Sequence, residues 1–441
     1  MAWQCQPHSR LLGAARKISA SAALFLWATT AASAAGADNA CGAGGASPAQ
    51  DVSRDGPVAP PTTCKHYRLF ANHLPAPEKS PGMEPSNFDR PFDVVPSAPP
   101  GFRVSLFASG VGNARWLAVA PNGDVFLAAS GDGKIMLLRD VDGTGTARFT
   151  SDFASGYMRP HGLAFHDGAL YIADLRGIWR QPYKDGDETA TGTPVKITSA
   201  PDLRPNGWHW TREIVFDRKG QLYLAMGARQ DVLDDDPPPD ATVQLVLAGG
   251  KMATFASGLR NVVGLAVCPE TGELWGTVNE RDQLGANLPP DFLTSIHKND
   301  FFGWPYAYVG PHPDPQFGMK RPDMVRVTKT PEVLFEAHSA PLAVVFYEGN
   351  QFPAEYRGDA FVAFHASGPY RAPDGYKVVR VRFAHGKPIG GYQDFLTGWM
   401  QPATNPPKIW GTPAGLAVAK DGSLLVADET GVWRVTYAGP H

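Results

Sequence analysis

The chain has 441 residues, 43% of them hydrophobic, and a formal net charge of -3. That composition suits two or three average globular domains or one large β fold. With no Lys/Arg-rich run, nothing marks it as a nucleic-acid binder, and cations that converge on a site are there for a small anion.

Taken in chain order, Arg10, Arg16 and Lys17 precede the apolar stretch ISASAALFLWATTAASA, which ends in the small-residue pattern Ala32-Ser33-Ala34. Residues 1–34 read as a signal peptide, which predicts a periplasmic or secreted product. A membrane anchor is the weaker reading, because a spanning helix wants ~20 strongly apolar residues; no integral membrane segment is expected in the mature chain. Residues 35–95 are Pro/Gly-rich and read as a linker and an N-terminal lead-in laid on the main domain. Cys5 would leave with the signal, Cys41 and Cys64 are candidates for a disulfide in an oxidising space, and Cys268 reads as a buried thiol in an apolar strand. No CxxCH motif is present, so no haem is expected on this chain.

Residues 96–441 repeat one pattern. ARWLAVAPNGDVFLAAS (114–130), RPHGLAFHDGALYIAD (159–174), TREIVFDRKGQLYLAMG (211–227), RNVVGLAVCPETGELWGTV (260–278), APLAVVFYEGNQFPAEYRGDAFVAF (340–364) and TPAGLAVAKDGSLLVAD (412–428) each give an apolar strand, a Gly-containing turn and a second apolar strand. Further strand-like runs such as KIMLLRD, GIWRQPY and YKVVRVRF follow them. The unit is a four-stranded antiparallel blade, and the fold class predicted is an all-β, six-bladed β-propeller. The longest insertions follow the fourth and fifth copies, where sites commonly live.

In a propeller the residue before each inner strand emerges at one rim. Those positions hold Arg115, Arg159 with His161, His209, Arg260 with Asn261, His338 and Thr412. Such a set is poor for packing an aliphatic strand and good for gripping a polyanionic planar ligand. Singly, each has a plainer reading: Arg115 and Arg159 as surface cations, His161 and His338 as satisfied core histidines, Arg260 as half of a structural salt bridge. The segment TVNERDQLG offers carbonyls and carboxylates to a hard cation. The acidic run DVLDDDPPPD (231–240) is a second possible cation site, but reads more readily as a solvated loop.

The ordered series GWHWTR, GLRNVVGLAV, LWGTVNERDQLG, DFLTS, GWPYAY, HSAPLAVVFY, GYKVVRV and PAGLAVAKDGSLLVAD resembles the soluble pyrroloquinoline-quinone (PQQ)-dependent sugar dehydrogenases, in their L-sorbosone dehydrogenase-like branch, across about residues 95–438. The resemblance implies PQQ and Ca2+ as cofactors and oxidation of a sugar, polyol or aldehyde. It implies His209 as general base, with Arg260 and Asn261 beside the quinone. It also implies the peptide carbonyls of Glu280 and Arg281 as calcium ligands, and Arg115, His161, His338, His365 and Arg371 around the cofactor. Trp208 and Trp210 are candidate walls for the sugar. The chain departs from these relatives at Thr412, where they often carry a basic residue, at Ala228, where an acidic one is common, and in the longer HASGPYR loop. With no haem expected, a separate cytochrome or quinone is the expected electron acceptor. Two other readings compete: a calcium-dependent lactonase or esterase propeller, and a non-catalytic ligand-binding propeller.

Overall fold

A computed structural model describes residues 65–439, except 79–85, 88, 92–93, 205, 235–237, 367–374 and 402–406. Segment 1–34, Cys5, Cys41, Cys64 and Arg371 therefore lie outside the described residues.

The alternation read from the sequence becomes six antiparallel sheets. Blade 1 comprises Ala114–Val119, Val125–Ala129, Lys134–Arg139 and Phe149–Ser155, from the channel outward; blade 2 comprises Leu163–His166, Ala169–Asp174, Gly177–Pro182 and Val195–Lys196. Blade 3 follows with Ile214–Phe216, Leu222–Met226, Thr242–Val246 and Met252–Ser257, and blade 4 with Asn261–Val267, Leu274–Asn279, Pro290–Ile296 and Val333–Ala337. Blade 5 is Pro341–Phe346, Ala360–Phe364, Lys377–Ala384 and Lys387–Leu396. Blade 6 takes Gly415–Val418, Leu424–Asp428 and Gly431–Tyr437 from late in the chain and its outer strand, Phe102–Ser109, from early in it. The inner strands touch in succession, first to last and back to the first, so the ring is a closed six-bladed β-propeller.

Each hairpin between first and second strands turns on a glycine with positive φ, from 66° at Gly168 to 104° at Gly123, a conformation that side-chain-bearing residues resist. A second device recurs at the next turn. Asp174 accepts from the backbone of Gly177 and from Trp179 Nε1 (2.9 Å both), and Asp428 does the same for Gly431 (3.1 Å) and Trp433 Nε1 (2.7 Å). One buried carboxylate thus satisfies the turn and fixes an indole between blades.

The lead-in lies on the ring. His66–Tyr67 pairs with Tyr392 and Gln393 as a fifth strand of blade 5, and Ser86–Asn87 runs parallel to Lys408–Ile409. The core fills the space between blades with aliphatic and aromatic side chains, among them the fully buried Trp275, Trp399 and Trp433. Cys268 is buried and free. No helix of the described residues is long and apolar enough to cross a membrane.

Closure rests on the Phe102–Ser109 pairing, and Phe102 anchors it edge-on to Phe352, Tyr356, Phe395 and Tyr437 at centroid distances of 4.8 to 5.2 Å. Phe102→Ala should lower unfolding free energy by about 3 kcal/mol, read as an earlier denaturant midpoint at unchanged slope. An unshifted midpoint would mean that closure does not depend on this aromatic nest.

Candidate active site at the channel mouth

Antiparallel pairing sets the start of each first strand opposite the end of the second: Asn261 faces Asn279, Pro341 faces Phe364, and Ala114 faces Ala129. The rim that holds Arg115, His209, Arg260, Asn261 and His338 therefore also receives Asn279, Glu280, His365 and Glu429.

His209 lies on the connection into blade 3. Arg212, buried, fixes that connection by spending its guanidinium on four carbonyls, those of Leu203 (2.8 Å), Arg204 (3.1 Å), His209 (2.8 Å) and Thr211 (2.7 Å). The His209 ring gives its Nδ1 proton to the Ala228 carbonyl at 2.7 Å, which leaves Nε2 as the acceptor. Burial first, then the Arg260 charge, push its pKa down to about 3, so the imidazole is neutral in ordinary conditions. Gly227 makes room: a Cβ there would stand 2.4 Å from Asn261 Oδ1 and 2.6 Å from His209 Cβ.

Arg260 is buried, and each of its three nitrogens donates at least one hydrogen bond. Nη2 donates to Asp231 Oδ1 at 2.6 Å, Nε to the Asp231 carbonyl at 3.0 Å, and Nη1 to the carbonyls of Asn279 (3.1 Å) and Glu280 (2.6 Å). Asp231 also accepts from the Asp282 amide (3.3 Å) and from Gln283 Nε2 (2.9 Å). Asn261 Oδ1, Asn279 Oδ1 and Glu280 Oε1 are buried with no hydrogen-bond partner, which leaves polar valence for a ligand. Burial raises Glu280 to about 8 and, with backbone and Ser339 donors opposing it, Asp291 to about 6. Arg281 turns instead to Asp314 Oδ2 at 2.6 Å.

The remaining candidates divide. Arg115 Nη1 meets His365 Nε2 at 2.8 Å while His365 Nδ1 meets the Ala366 carbonyl at 3.0 Å, so that ring is a neutral acceptor toward Arg115. His161 has no exposed surface; it sits against Trp116 (4.2 Å between ring centroids) and edge-on to Trp210, in the floor under the mouth, with Glu213 Oε2 3.6 Å away. His338 donates from both nitrogens, to Asp282 Oδ1 at 2.9 Å and to the Gly285 carbonyl at 2.8 Å, and so braces the turn after blade 4's second strand. Trp208 is 71% exposed at the rim. Thr412 bonds Glu429 through its amide and hydroxyl. Among the described residues no three His, Cys, Asp or Glu side chains gather to hold a metal.

The acidic run 231–240 is a solvated loop only in part: Asp234 is exposed and pairs with Lys320, and residues 235–237 lie outside the described residues, but the two ends turn inward. Asp231 is buried as the counter-ion that the internal guanidinium of Arg260 needs, and Asp240 is buried against Arg229 at 3.0 Å. The requirement that a buried Arg260 have an anion or several carbonyls signalled that a partner exists but did not single out Asp231; Arg212 and the orphaned Asn279 carried no signal at all.

Residues 96–300 and 323–437 match the family model described as TrAA12-like, and residues 234–370 match that described as glucose/sorbosone dehydrogenase. The gap between the two TrAA12-like segments falls in the excursion between the third and fourth strands of blade 4. The chain belongs to the TrAA12-like family, and its class is that of sugar-dehydrogenase-type oxidoreductases. An uncharacterized protein of Borreliella burgdorferi is 26% identical over 354 residues, 77% of this chain and 90% of that one. The aldose sugar dehydrogenase YliI of Escherichia coli is 26% identical over 218 residues, 41% of this chain and 56% of that one. In fold, the holo form of the pyranose dehydrogenase PQQ domain from Coprinopsis cinerea superposes with a TM-score of 0.65 at 20% identity, covering 80% of this chain and 100% of that one.

Two outcomes follow. Gly227→Ala should displace both His209 and Asn261, cutting any turnover at the site by at least tenfold with a secondary-structure spectrum like the wild type's; full activity would show that the two side chains need no such clearance. For His338, burial opposes its charge, but the Asp282 carboxylate and the Gly285 carbonyl outweigh it, and its pKa is raised. Its stabilisation is then complete below the unfolded pKa of about 6.5 and fades as pH rises through the higher folded value. His338→Gln should destabilise most in acid, and a pH-independent loss in denaturant titrations would assign the effect to shape alone.

Proposed function

We propose that this protein oxidises a sugar or a related polyol or aldehyde by hydride transfer to PQQ, with His209 as the general base. The observation that carries the reading is the His209 ring: its tautomer is fixed by the Ala228 carbonyl, its basic Nε2 is unengaged by that bond, and its charge is suppressed by burial and Arg260. Membership of the family, with its glucose/sorbosone dehydrogenase segment, supports the reaction class.

The mouth fits an anionic, polar planar cofactor. Arg115 has a buried Nε without a partner, Asn261 has an unpartnered amide oxygen, and Arg159 adds a second cation nearby. PQQ, when bound, supplies an orthoquinone that accepts two electrons and a proton equivalent as hydride. The chain's part is to take the other proton: Nε2 of His209 removes it from the substrate hydroxyl as the C–H bond breaks. Asp231 holds Arg260 in register so that its charge keeps His209 neutral and able to accept. Arg260, Asn261, Arg115 and His365 are proposed around the cofactor, as is Arg371. His338 enters as the brace of the 282–285 turn.

Calcium is also implied by the resemblance, but the carbonyl proposed for it at Glu280 fits poorly. It already accepts Arg260 Nη1 at 2.6 Å, so a dication there would face a guanidinium. No step is routed through the metal. Sorbosone as substrate, export directed by residues 1–34, and a separate cytochrome or quinone acceptor belong to the same proposal and rest on the N-terminal sequence and the resemblance.

His209→Ala should bind PQQ about as well as wild type while turnover falls by roughly two to four orders of magnitude. Since the folded pKa lies near 3, kcat/KM should show no rising limb assignable to His209 between about pH 5 and 8. Near-normal turnover of the variant, or a wild-type limb centred near 6.5 that the substitution abolishes, would remove the neutral-base assignment.

A further inference from the structure

A cleft of about 290 Å³ opens where blades 6, 1 and 2 meet, and is lined by Asn113, Arg115, Ser130, Arg159, Trp210 and Glu429. Trp210 follows His209 directly in sequence. Two guanidiniums share its ring, Arg159 Cζ at 4.1 Å from the centroid and Arg115 Cζ at 5.6 Å. Arg115 spends Nη1 on His365 and keeps Nε buried and unpartnered. Among the described residues no carboxylate lies in salt-bridge range of Arg159. The one carboxylate lining the cleft, Glu429, is turned to Thr412 and lies 3.8 Å from His365 Nε2. Two cations thus stand against a single, already bonded, anion.

Arg159 is also held in a conformation it would not choose. Its φ is +53°, in the left-handed region, and it precedes Pro160, which further restricts its backbone. Its neighbours keep it there: Met158 N donates to Asp174 Oδ2 at 2.8 Å and Ser130 Oγ to the Pro160 carbonyl at 2.6 Å. Backbone strain fixed from both sides, with the result that a cation is laid on an aromatic face in a cleft, marks a ligand position better than a packing accident. Burial lowers the pKa of both arginines; at Arg115 the Glu429 carboxylate opposes that shift and the Arg159 charge adds to it.

We propose that Arg159, laid over Trp210 beside Arg115, is a seat for one carboxylate of a molecule bound at the channel mouth. The inference deepens the reading of the mouth as a cofactor and sugar site, and it rests on that reading for the identity of its occupant. The carboxylate has two sources, the cofactor or an acidic sugar; a neutral sugar has nothing to offer this pair.

The test uses the full chain with Arg159→Gln and Arg159→Lys. PQQ binding is followed by absorbance titration. Glucuronate and glucose binding to cofactor-free protein are followed by tryptophan fluorescence, and dye reduction is measured with both sugars. Arg159→Gln should weaken a carboxylate-bearing ligand at least tenfold, with Arg159→Lys recovering part of the loss and glucose unaffected in either. A loss confined to PQQ names the cofactor as the source. A loss confined to glucuronate names the substrate and makes this a dehydrogenase of acidic sugars in class. Unchanged affinity for both ligands, or equal loss for glucose and glucuronate, overturns the seat. Failure of wild-type protein to bind PQQ would sink the proposed function, while the glucuronate arm would still decide the seat; binding of neither ligand by wild type would overturn it too.

Discussion

The buried guanidinium of Arg260 organises the mouth. It cannot remain inside without an anion, so it draws Asp231 in from the blade 3 loop, and its other donors tie down the carbonyls of Asn279 and Glu280 at the end of blade 4's second strand. Three segments distant in sequence thereby share one rigid node. Its charge then acts on His209, adding to burial in holding the imidazole neutral. Removing Asp231 would leave an uncompensated internal cation, a change of the kind that costs about 3–5 kcal/mol, and would release the very charge that tunes the base.

The blades are an example of local chemistry that agrees with global form. Period-two apolar runs, a positive-φ glycine in every first hairpin and the Asp-to-indole clasp of blades 2 and 6 all point to the same four-stranded unit. This is why the architecture was legible: each feature is short-range, and each recurs. The convergence of Arg115, His209, Arg260, Asn261 and His338 at one rim was legible for the same reason, since strand parity and antiparallel pairing decide which end of a blade a residue reaches.

What the sequence concealed is long-range. Nothing near residues 66–67 announces that they will pair with Tyr392 and Gln393, and nothing in an acidic run tells a counter-ion from a solvated loop until the cation is placed. His338 shows the same limit from the other side. Its position at the rim was readable, but its commitment of both nitrogens to Asp282 and Gly285 depends on how the following turn folds back. His161, equally a rim position by parity, is fully buried because two large rings pack against it, Trp116 from blade 1's inner strand and Trp210 from the connection into blade 3.

The clasp between Phe102–Ser109 and Gly431–Tyr437 has a consequence for biosynthesis. A nascent chain can assemble five blades as they emerge, yet the rim becomes a circle only after the last of them has met a strand made more than three hundred residues earlier. Until then Arg115 and Glu429, which border the same cleft, belong to opposite ends of an open arc. Ligand capture is therefore an event of the finished polypeptide, and a premature stop within the last blade would abolish the cradle before it touched most of the core.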